Sequence, residues 1–213
     1  MAIDLEKFGA SLRPIHYIEG IGLSSNVYVI GEKDITLIDT GAGDEMNKLR
    51  ETMERSGLSV KDVSKVVLTH SHPDHTGGLI DLLVAGAPTI LVHSAEAEYL
   101  GLDDSSITKV VEGNVIETPG HTLKVIHTPG HTVGSICLYD SDNRILFSGD
   151  TVFANGAFGR TDLPTGDAMA MKESLKRLTQ FDIDSLLPGH EEPVLENGSA
   201  HVKLSNEMAR AYF

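Results

Sequence analysis

The chain has 213 residues, of which 40% are hydrophobic, so it is long enough to bury a large core and has an ordinary globular composition. Its 17 basic and 31 acidic residues give a formal charge of -14, and no cluster of Lys and Arg interrupts this excess, which argues against a nucleic-acid partner. Cys137 is the single cysteine, so an intrachain disulfide is excluded. A charged N-terminus and the lack of a long apolar stretch predict a cytoplasmic protein with no membrane partner.

Apolar periodicity predicts an alternation of strands and helices. In the first half we expect a hairpin over 26–39, a helix over 44–56 capped by Gly57, a strand over 66–69, a helix from about His75 to Val84, a strand over 89–92 and a short helix over 94–100. In the second half we expect hairpins over 115–118 with 123–128 and over 136–139 with 145–147, a helix from an Asp167 N-cap through Leu178, and a final helix from about Gly198. No linker or low-complexity stretch divides the chain, which indicates a single α/β domain over residues 1–213.

The segment Leu-Thr-His-Ser-His-Pro-Asp-His-Thr-Gly-Gly, residues 68–78, carries the strongest chemical signal. Alternate residues of an extended strand point the same way, so His70 and His72 can face one metal ion. Pro73 ends the strand, and Asp74 and His75 then point back into the space beyond it. Four possible ligands at this spacing predict a metal site.

This segment resembles the HxHxDH motif of the metallo-β-lactamase superfamily. Three later stretches also match that family in the same order: TPGHTVGS with His131, LFSGDT with Asp150 and LLPGH with His190. The resemblance extends from about residue 16 to residue 193. It implies an α/β fold, a four-layer αββα sandwich, with a two-metal site at one edge of the sheets.

The same resemblance implies a set of metal ligands: His70, His72 and His131 on one ion, Asp74, His75 and His190 on the other, and Asp150 bridging both. Asp74 and Asp150 are then also the candidate catalytic residues. Two divalent metals per chain are expected. Zinc is the first choice, and iron and manganese stay open because all the ligands offer nitrogen or oxygen.

The pentapeptide Thr-Pro-Gly-His-Thr occurs twice, starting at Thr118 and at Thr128, an offset too short for a repeat architecture. His131, in the second copy, has the context of the family ligand. His121, in the first copy, is interpreted as a solvent-exposed turn residue. His127 is interpreted as a strand residue packing near the site, and Cys137 as a small core residue.

Asp39 ends the apolar run Ile-Thr-Leu-Ile-Asp. In the family, the matching Asp supports the HxHxDH loop by hydrogen bonds rather than binding metal. Residues 37–42 also look like the Asp-Thr-Gly signature of aspartic proteases, which need two carboxylates sharing one proton. A second such signature is missing from the sequence, and the metal cluster would then have no explanation.

Residues 148–167, SGDTVFANGAFGRTDLPTGD, resemble the glyoxalase II-like (hydroxyacylglutathione hydrolase-like) subgroup. The implied activity is hydrolysis of a small-molecule thioester, such as an S-hydroxyacyl thiol, by a metal-bridging hydroxide. Arg160 is a candidate contact for a substrate carboxylate, with an internal ion pair to Asp162 as the alternative. The C-terminal helical domain of longer glyoxalase II enzymes is not expected here.

The sequence leaves other functions open. Persulfide dioxygenases share the fold and the GRTD stretch, and would hold one iron with the equivalents of His70, His131 and Asp150. An ester, lactone or β-lactam hydrolase is a further alternative. A non-catalytic metal-binding scaffold has little support because every family ligand is present. The oligomeric state is not predicted.

Overall fold

A computed structural model describes the whole chain apart from Glu45, Asn47 and the side chain of Asp104. The described residues form two compact units. The first comprises Met1–Val92, Ala97–Lys109 and Glu117–His121, and the second comprises His93–Glu96, Val110–Ile116 and Thr122–Phe213. The single domain expected over 1–213 stays a prediction.

A seven-stranded sheet provides the framework of the first unit. In sheet order its strands are β1 (Ile3–Asp4), β2 (Ile15–Ile18), β3 (Val27–Ile30), β4 (Ile35–Ile38), β5 (Val63–Val67), β6 (Thr89–His93) and β7 (Ile107–Val110). Neighbours from β1 to β4 are antiparallel, whereas β4, β5 and β6 run parallel. Every residue of β3 and β4 is buried, which accounts for their continuous apolar sequences.

Three short helices belong to the first unit: α1 (Leu49–Arg55), α2 (Pro73–Thr76) and α3 (Leu79–Ala85). Met53 from α1 and Leu82 from α3 pack with Leu37 and Val66 in one hydrophobic core. The helix predicted over 44–56 includes Glu45 and Asn47, which lie outside the described residues. The helix predicted from His75 to Val84 is instead two helices separated by Gly77 and Gly78.

A five-stranded sheet and two helices make up most of the second unit. The sheet order is β12 (Ser185–Pro188), β11 (Ile145–Gly149), β10 (Ile136–Asp140), β9 (His121–His127) and β8 (Val115–Thr118), and the helices are α4 (Ala168–Leu178) and α5 (Gly198–Tyr212). Asp167 caps α4 as predicted, because its side chain accepts hydrogen bonds from the backbone of Met169 and Ala170. Leu175 and Leu178 of α4 pack with Leu146 of β11 and Val202 of α5 in a second core.

Within the part of the chain that the structure describes, none of the helices combines the length and the apolar character needed to cross a lipid bilayer.

Candidate metal centre

In the first unit, the predicted ligand segment follows the end of β5. Strands β4 and β5 are parallel neighbours, so their carboxyl ends meet at one edge of the sheet. Asp39 directly follows β4, and its backbone N–H donates to the carbonyl of Val67 at 3.0 Å. The loop that carries His70 and His72 therefore starts beside Asp39.

Asp39 accepts three hydrogen bonds from this loop. Its carboxylate accepts from the backbone N–H of Thr69 at 2.8 Å and from the Thr69 hydroxyl at 2.8 Å. The third bond joins Asp39 Oδ2 to His75 Nδ1, also at 2.8 Å. Because an ionised carboxylate only accepts, His75 donates from Nδ1, and its Nε2 becomes the nitrogen that can bind a metal ion.

The ring nitrogens of the first unit are spaced as metal ligands. His70 Nε2 lies 3.0 Å from His72 Nδ1. Two nitrogens on a tetrahedral zinc are separated by about 3.3 Å, given zinc–nitrogen bonds of about 2.05 Å. The His75 ring lies 4.1 Å from the His70 ring between centroids, and Asp74 Oδ2 lies 3.8 Å from His75 Nε2. These side chains could contribute ligands to a metal site.

Backbone contacts hold the same loop in place. The N–H and hydroxyl of Thr40 both donate to the carbonyl of His75, at 2.8 and 2.9 Å. A Cβ atom on Gly77 would lie 1.9 Å from the carbonyl oxygen of Ala42, and one on Gly78 would lie 2.3 Å from that of Thr40. Glycine is required at both positions because backbone approaches backbone there.

In the second unit, three candidate ligands also follow strand ends. Asp150 follows β11, and His190 lies two residues beyond the end of β12. These strands are parallel neighbours, and the Gly189 N–H donates to the Gly149 carbonyl at 2.8 Å. His131 lies in the loop between β9 and β10.

Asp150 is the centre of this second cluster. Its Oδ2 atom lies 3.5 Å from His131 Nε2 and 3.5 Å from His190 Nε2. Two ligand atoms on one tetrahedral ion at about 2.1 Å are about 3.4 Å apart, so each pair has the separation of two atoms that share a metal. His131 Nδ1 lies 2.8 Å from the backbone carbonyl of Arg160 and donates to it, which directs Nε2 toward Asp150.

Two histidines of the neighbouring segments have structural roles. The prediction that His121 is a solvent-exposed turn residue is wrong: it begins β9, is only 4% exposed, and its Nε2 donates to the carbonyl of Arg13 at 2.9 Å. The turn motif concealed a buried partner more than one hundred residues away in sequence. His127 ends β9, and its Nε2 donates to the carbonyl of Val133 at 2.9 Å.

The guanidinium of Arg160 forms an ion pair. Its Nε and Nη2 atoms each lie 2.8 Å from the carboxylate of Asp162, and both side chains are exposed. This hydrogen bonding lowers the pKa of Asp162 to about 2. Sequence reasoning considered only the side chain of Arg160 and missed its carbonyl, which is the group that orients His131.

Cys137 is fully buried in the second core, as predicted. Burial raises the pKa of its thiol to about 11, although hydrogen bonds to Thr128 and Thr151 oppose the shift. At pH 8 only about one thiol in a thousand would then be ionised.

We expect no reaction of native protein with a disulfide reagent such as DTNB at pH 8, and one thiol per chain after unfolding in guanidinium. Rapid modification of the native protein would contradict this assignment.

His and Asp side chains in both units could bind metal ions. The chain belongs to the metallo-β-lactamase superfamily, whose family model matches residues 20–190. It is 36% identical to the probable metallo-hydrolase MJ0888 of Methanocaldococcus jannaschii over 82% of this chain and 91% of that protein. It is 31% identical to a hydroxyacylglutathione hydrolase of Cereibacter sphaeroides, over 78% of this chain but only 60% of that enzyme.

Among solved structures, the chain is similar to TTHA1623 in a di-iron-bound form. The two are 28% identical, with a TM-score of 0.69, over 89% of this chain and 96% of that one. The predicted α/β metallo-β-lactamase fold is therefore confirmed, and so is the resemblance to hydroxyacylglutathione hydrolases. The protein is a metallohydrolase of this superfamily.

Proposed function

We propose that the protein is a binuclear metal-dependent hydrolase that cleaves a small-molecule thioester of the S-hydroxyacyl thiol type. The observation that carries this proposal is the position of Asp150, whose Oδ2 atom lies 3.5 Å from the Nε2 atoms of both His131 and His190. A carboxylate with two such neighbours is suited to bridging two cations. The relation to a hydroxyacylglutathione hydrolase supports the substrate class.

The proposed ligand set is the one that the family motif implies. His70, His72 and His131 would bind one ion, Asp74, His75 and His190 the other, and Asp150 both. The nitrogen and oxygen donors of this set suit zinc, iron or manganese, and zinc remains our first choice. The nitrogen spacing in the first unit and the Asp150 separations in the second both fit such ions.

Bound at these residues, the metal ions would lower the pKa of a coordinated water toward about 7 and so supply hydroxide at neutral pH. Asp39 fixes the Nδ1 proton of His75 and thereby the orientation of its ring. The Arg160 carbonyl does the same for His131. The Asp74 side chain is 31% exposed and could accept or hold a proton beside His75.

A thioester suits this set of residues better than an amide does. A thiolate is a stable leaving group and departs without prior protonation, because the pKa of a free thiol is about 8.5. An amine leaving group would require a proton donor, for which Asp74 is the candidate near the metal ligands. The side chain of Arg160 remains a proposed contact for a substrate carboxylate, and such binding would have to compete with Asp162.

The test combines metal content with a substrate panel. Protein purified without chelators would be analysed for metals, stripped, and reloaded separately with zinc and with iron. We expect two metal ions per chain, release of free thiol from S-lactoylglutathione or a related hydroxyacyl thioester, and loss of this activity in the stripped protein.

A single tightly bound iron per chain, with oxygen uptake on glutathione persulfide and no thioester cleavage, would contradict the proposal and favour the dioxygenase alternative. Cleavage of simple esters or lactones in preference to every thioester would retain the metallohydrolase and overturn the substrate class. The stripped protein from the same preparation is the matched control for both assays.

A further inference from the structure

The loop that carries His131, residues 128–135, is fixed by hydrogen bonds along its length; we call it the His131 loop. Its ends are joined by a bond from the Thr128 N–H to the Ser135 carbonyl at 2.8 Å. The Gly130 carbonyl accepts from the Asp167 N–H at 2.8 Å, and the Pro129 carbonyl accepts from the Ser174 hydroxyl at 2.7 Å. The first half of the loop is therefore held by α4 and its N-cap residue.

The second half of the His131 loop is held by a different segment, His93–Glu96, which begins at the end of β6. Glu96 is only 1% exposed, and its Oε1 atom accepts a hydrogen bond from the Gly134 N–H at 2.8 Å. Burial of a carboxyl group is unfavourable unless hydrogen bonds compensate for the lost water. The loop backbone supplies one of these bonds, three residues after His131.

Close packing accompanies this hydrogen bond. A Cβ atom on Gly134 would lie 2.6 Å from Glu96 Cγ, 2.9 Å from Glu96 Oε1 and 3.0 Å from His93 Nδ1. The His93 ring stacks on the His127 ring with centroids 4.2 Å apart, and His127 Nε2 donates to the Val133 carbonyl at 2.9 Å. Glu96 thus lies within a packed group that contacts two successive residues of the His131 loop.

We infer that Glu96 is a positioning residue for His131. The Gly134 bond fixes the far side of the loop, and the Arg160 carbonyl fixes the ring, so together they hold His131 Nε2 at its distance from Asp150. A ligand held in place before metal arrives loses less conformational freedom on binding. The inference rests on the proposed function only in taking His131 as a metal ligand.

The test measures metal affinity rather than activity. Apo-protein would be titrated with Zn²⁺ by calorimetry, with a competing chelator, for wild type, Glu96→Ala and Glu96→Gln. We expect Glu96→Ala to weaken the affinity for one of the two ions by about tenfold, the lower end of the range for residues that orient ligands. Glu96→Gln keeps an oxygen acceptor for the Gly134 N–H, so its affinity should stay within about twofold of wild type.

Asp140→Ala is the matched control. Asp140 is the last residue of β10, is also 1% exposed, and accepts hydrogen bonds from the backbone of Asp142 and Asn143 in the following turn. This turn holds none of the candidate ligands. Asp140→Ala should lower the Tm without changing zinc affinity. If Glu96→Ala lowers the Tm to a similar extent and leaves both zinc affinities unchanged, Glu96 is a purely structural residue and the inference is wrong.

Three further outcomes are distinguishable. Should Glu96→Ala fail to fold, Glu96→Asp retains the carboxyl group but shortens its reach by one methylene, and an unchanged affinity in that variant together with an unchanged Tm would overturn the inference. Absence of zinc binding by wild-type protein would overturn the proposed function itself, and the inference with it. Weakened affinity in Glu96→Asp with rescue in Glu96→Gln supports the positioning role.

Discussion

Replacing Asp150 by alanine is expected to reduce thioester hydrolysis by at least about a thousandfold, since a metal centre contributes several kcal/mol to such a reaction and each 1.36 kcal/mol is tenfold in rate. The variant loses the oxygen that lies 3.5 Å from both His131 Nε2 and His190 Nε2. The metal content of the variant should also fall below the two ions per chain that we expect for the wild type. The measurements are the initial rate of thiol release and elemental analysis of the purified variant.

The fold should survive this change because Asp150 follows β11 rather than lying within it, and the buried residues of the second core are untouched. Circular dichroism and the Tm of the variant measure whether the fold is retained. Asp182→Ala is the control, because Asp182 is an exposed carboxylate of the same unit that pairs with Arg144. Full activity and full metal content in Asp150→Ala would exclude a bridging role.

Asp39→Ala is expected to destabilise the protein by about 3 kcal/mol. The change removes the carboxylate that accepts hydrogen bonds from the Thr69 N–H and from His75 Nδ1, and both of these donors are buried. Zinc affinity should fall by about 10- to 100-fold, since the His75 ring loses the group that orients it. Denaturant unfolding of the apo-protein and zinc titration separate the two effects.

Asp39→Asn distinguishes lost hydrogen bonds from backbone strain. The φ angle of Asp39 is +59°, a left-handed conformation that Asn adopts more readily than Ala does. Asn also keeps one oxygen acceptor. The loss of stability and the loss of zinc affinity in Asp39→Asn should therefore both be smaller than in Asp39→Ala. Asp62→Ala removes only an exposed pair with Lys33 and should change neither quantity appreciably. Unaltered zinc affinity in Asp39→Ala would show that His75 needs no such orientation.

The same hydrogen bonds decide between the two interpretations of the Asp-Thr-Gly sequence at Asp39. An aspartic protease requires a carboxylate that shares a proton with a second carboxylate. Asp39 instead receives three hydrogen bonds from Thr69 and His75. The resemblance to a protease signature therefore reflects a tight turn after a buried strand, with the carboxylate facing the neighbouring loop.

Much of the fold could be predicted from local patterns. The hairpin of β3 and β4 and helix α4 with its Asp167 cap follow from apolar periodicity and capping chemistry, which act over a few residues. The sequence analysis does not predict strands β1, β2, β7 and β12. Their pairing partners in the sheets define them.

The candidate metal ligands could be proposed from the sequence because their spacing itself indicates the chemistry, as in His70, His72 and His75, and their role stays a prediction. The supporting groups could not be proposed in this way. The Arg160 carbonyl is a backbone atom with no sequence signature, and Glu96 meets Gly134 across 38 residues through a single hydrogen bond. His121 shows the opposite error, since a turn-forming sequence concealed a buried ring.

The glycine pair at Gly77 and Gly78 also bears on how this sequence can change over evolutionary time. Because these residues lie against the backbone of Ala42 and Thr40, close packing of main chain on main chain fixes where α2 ends. Exposed apolar residues of α3, such as Ile80 and Val84, can then be exchanged without moving the backbone that carries Asp74 and His75. The two glycines cannot be exchanged in this way, so a library of random substitutions should tolerate many residues in α3 and almost none at these two positions.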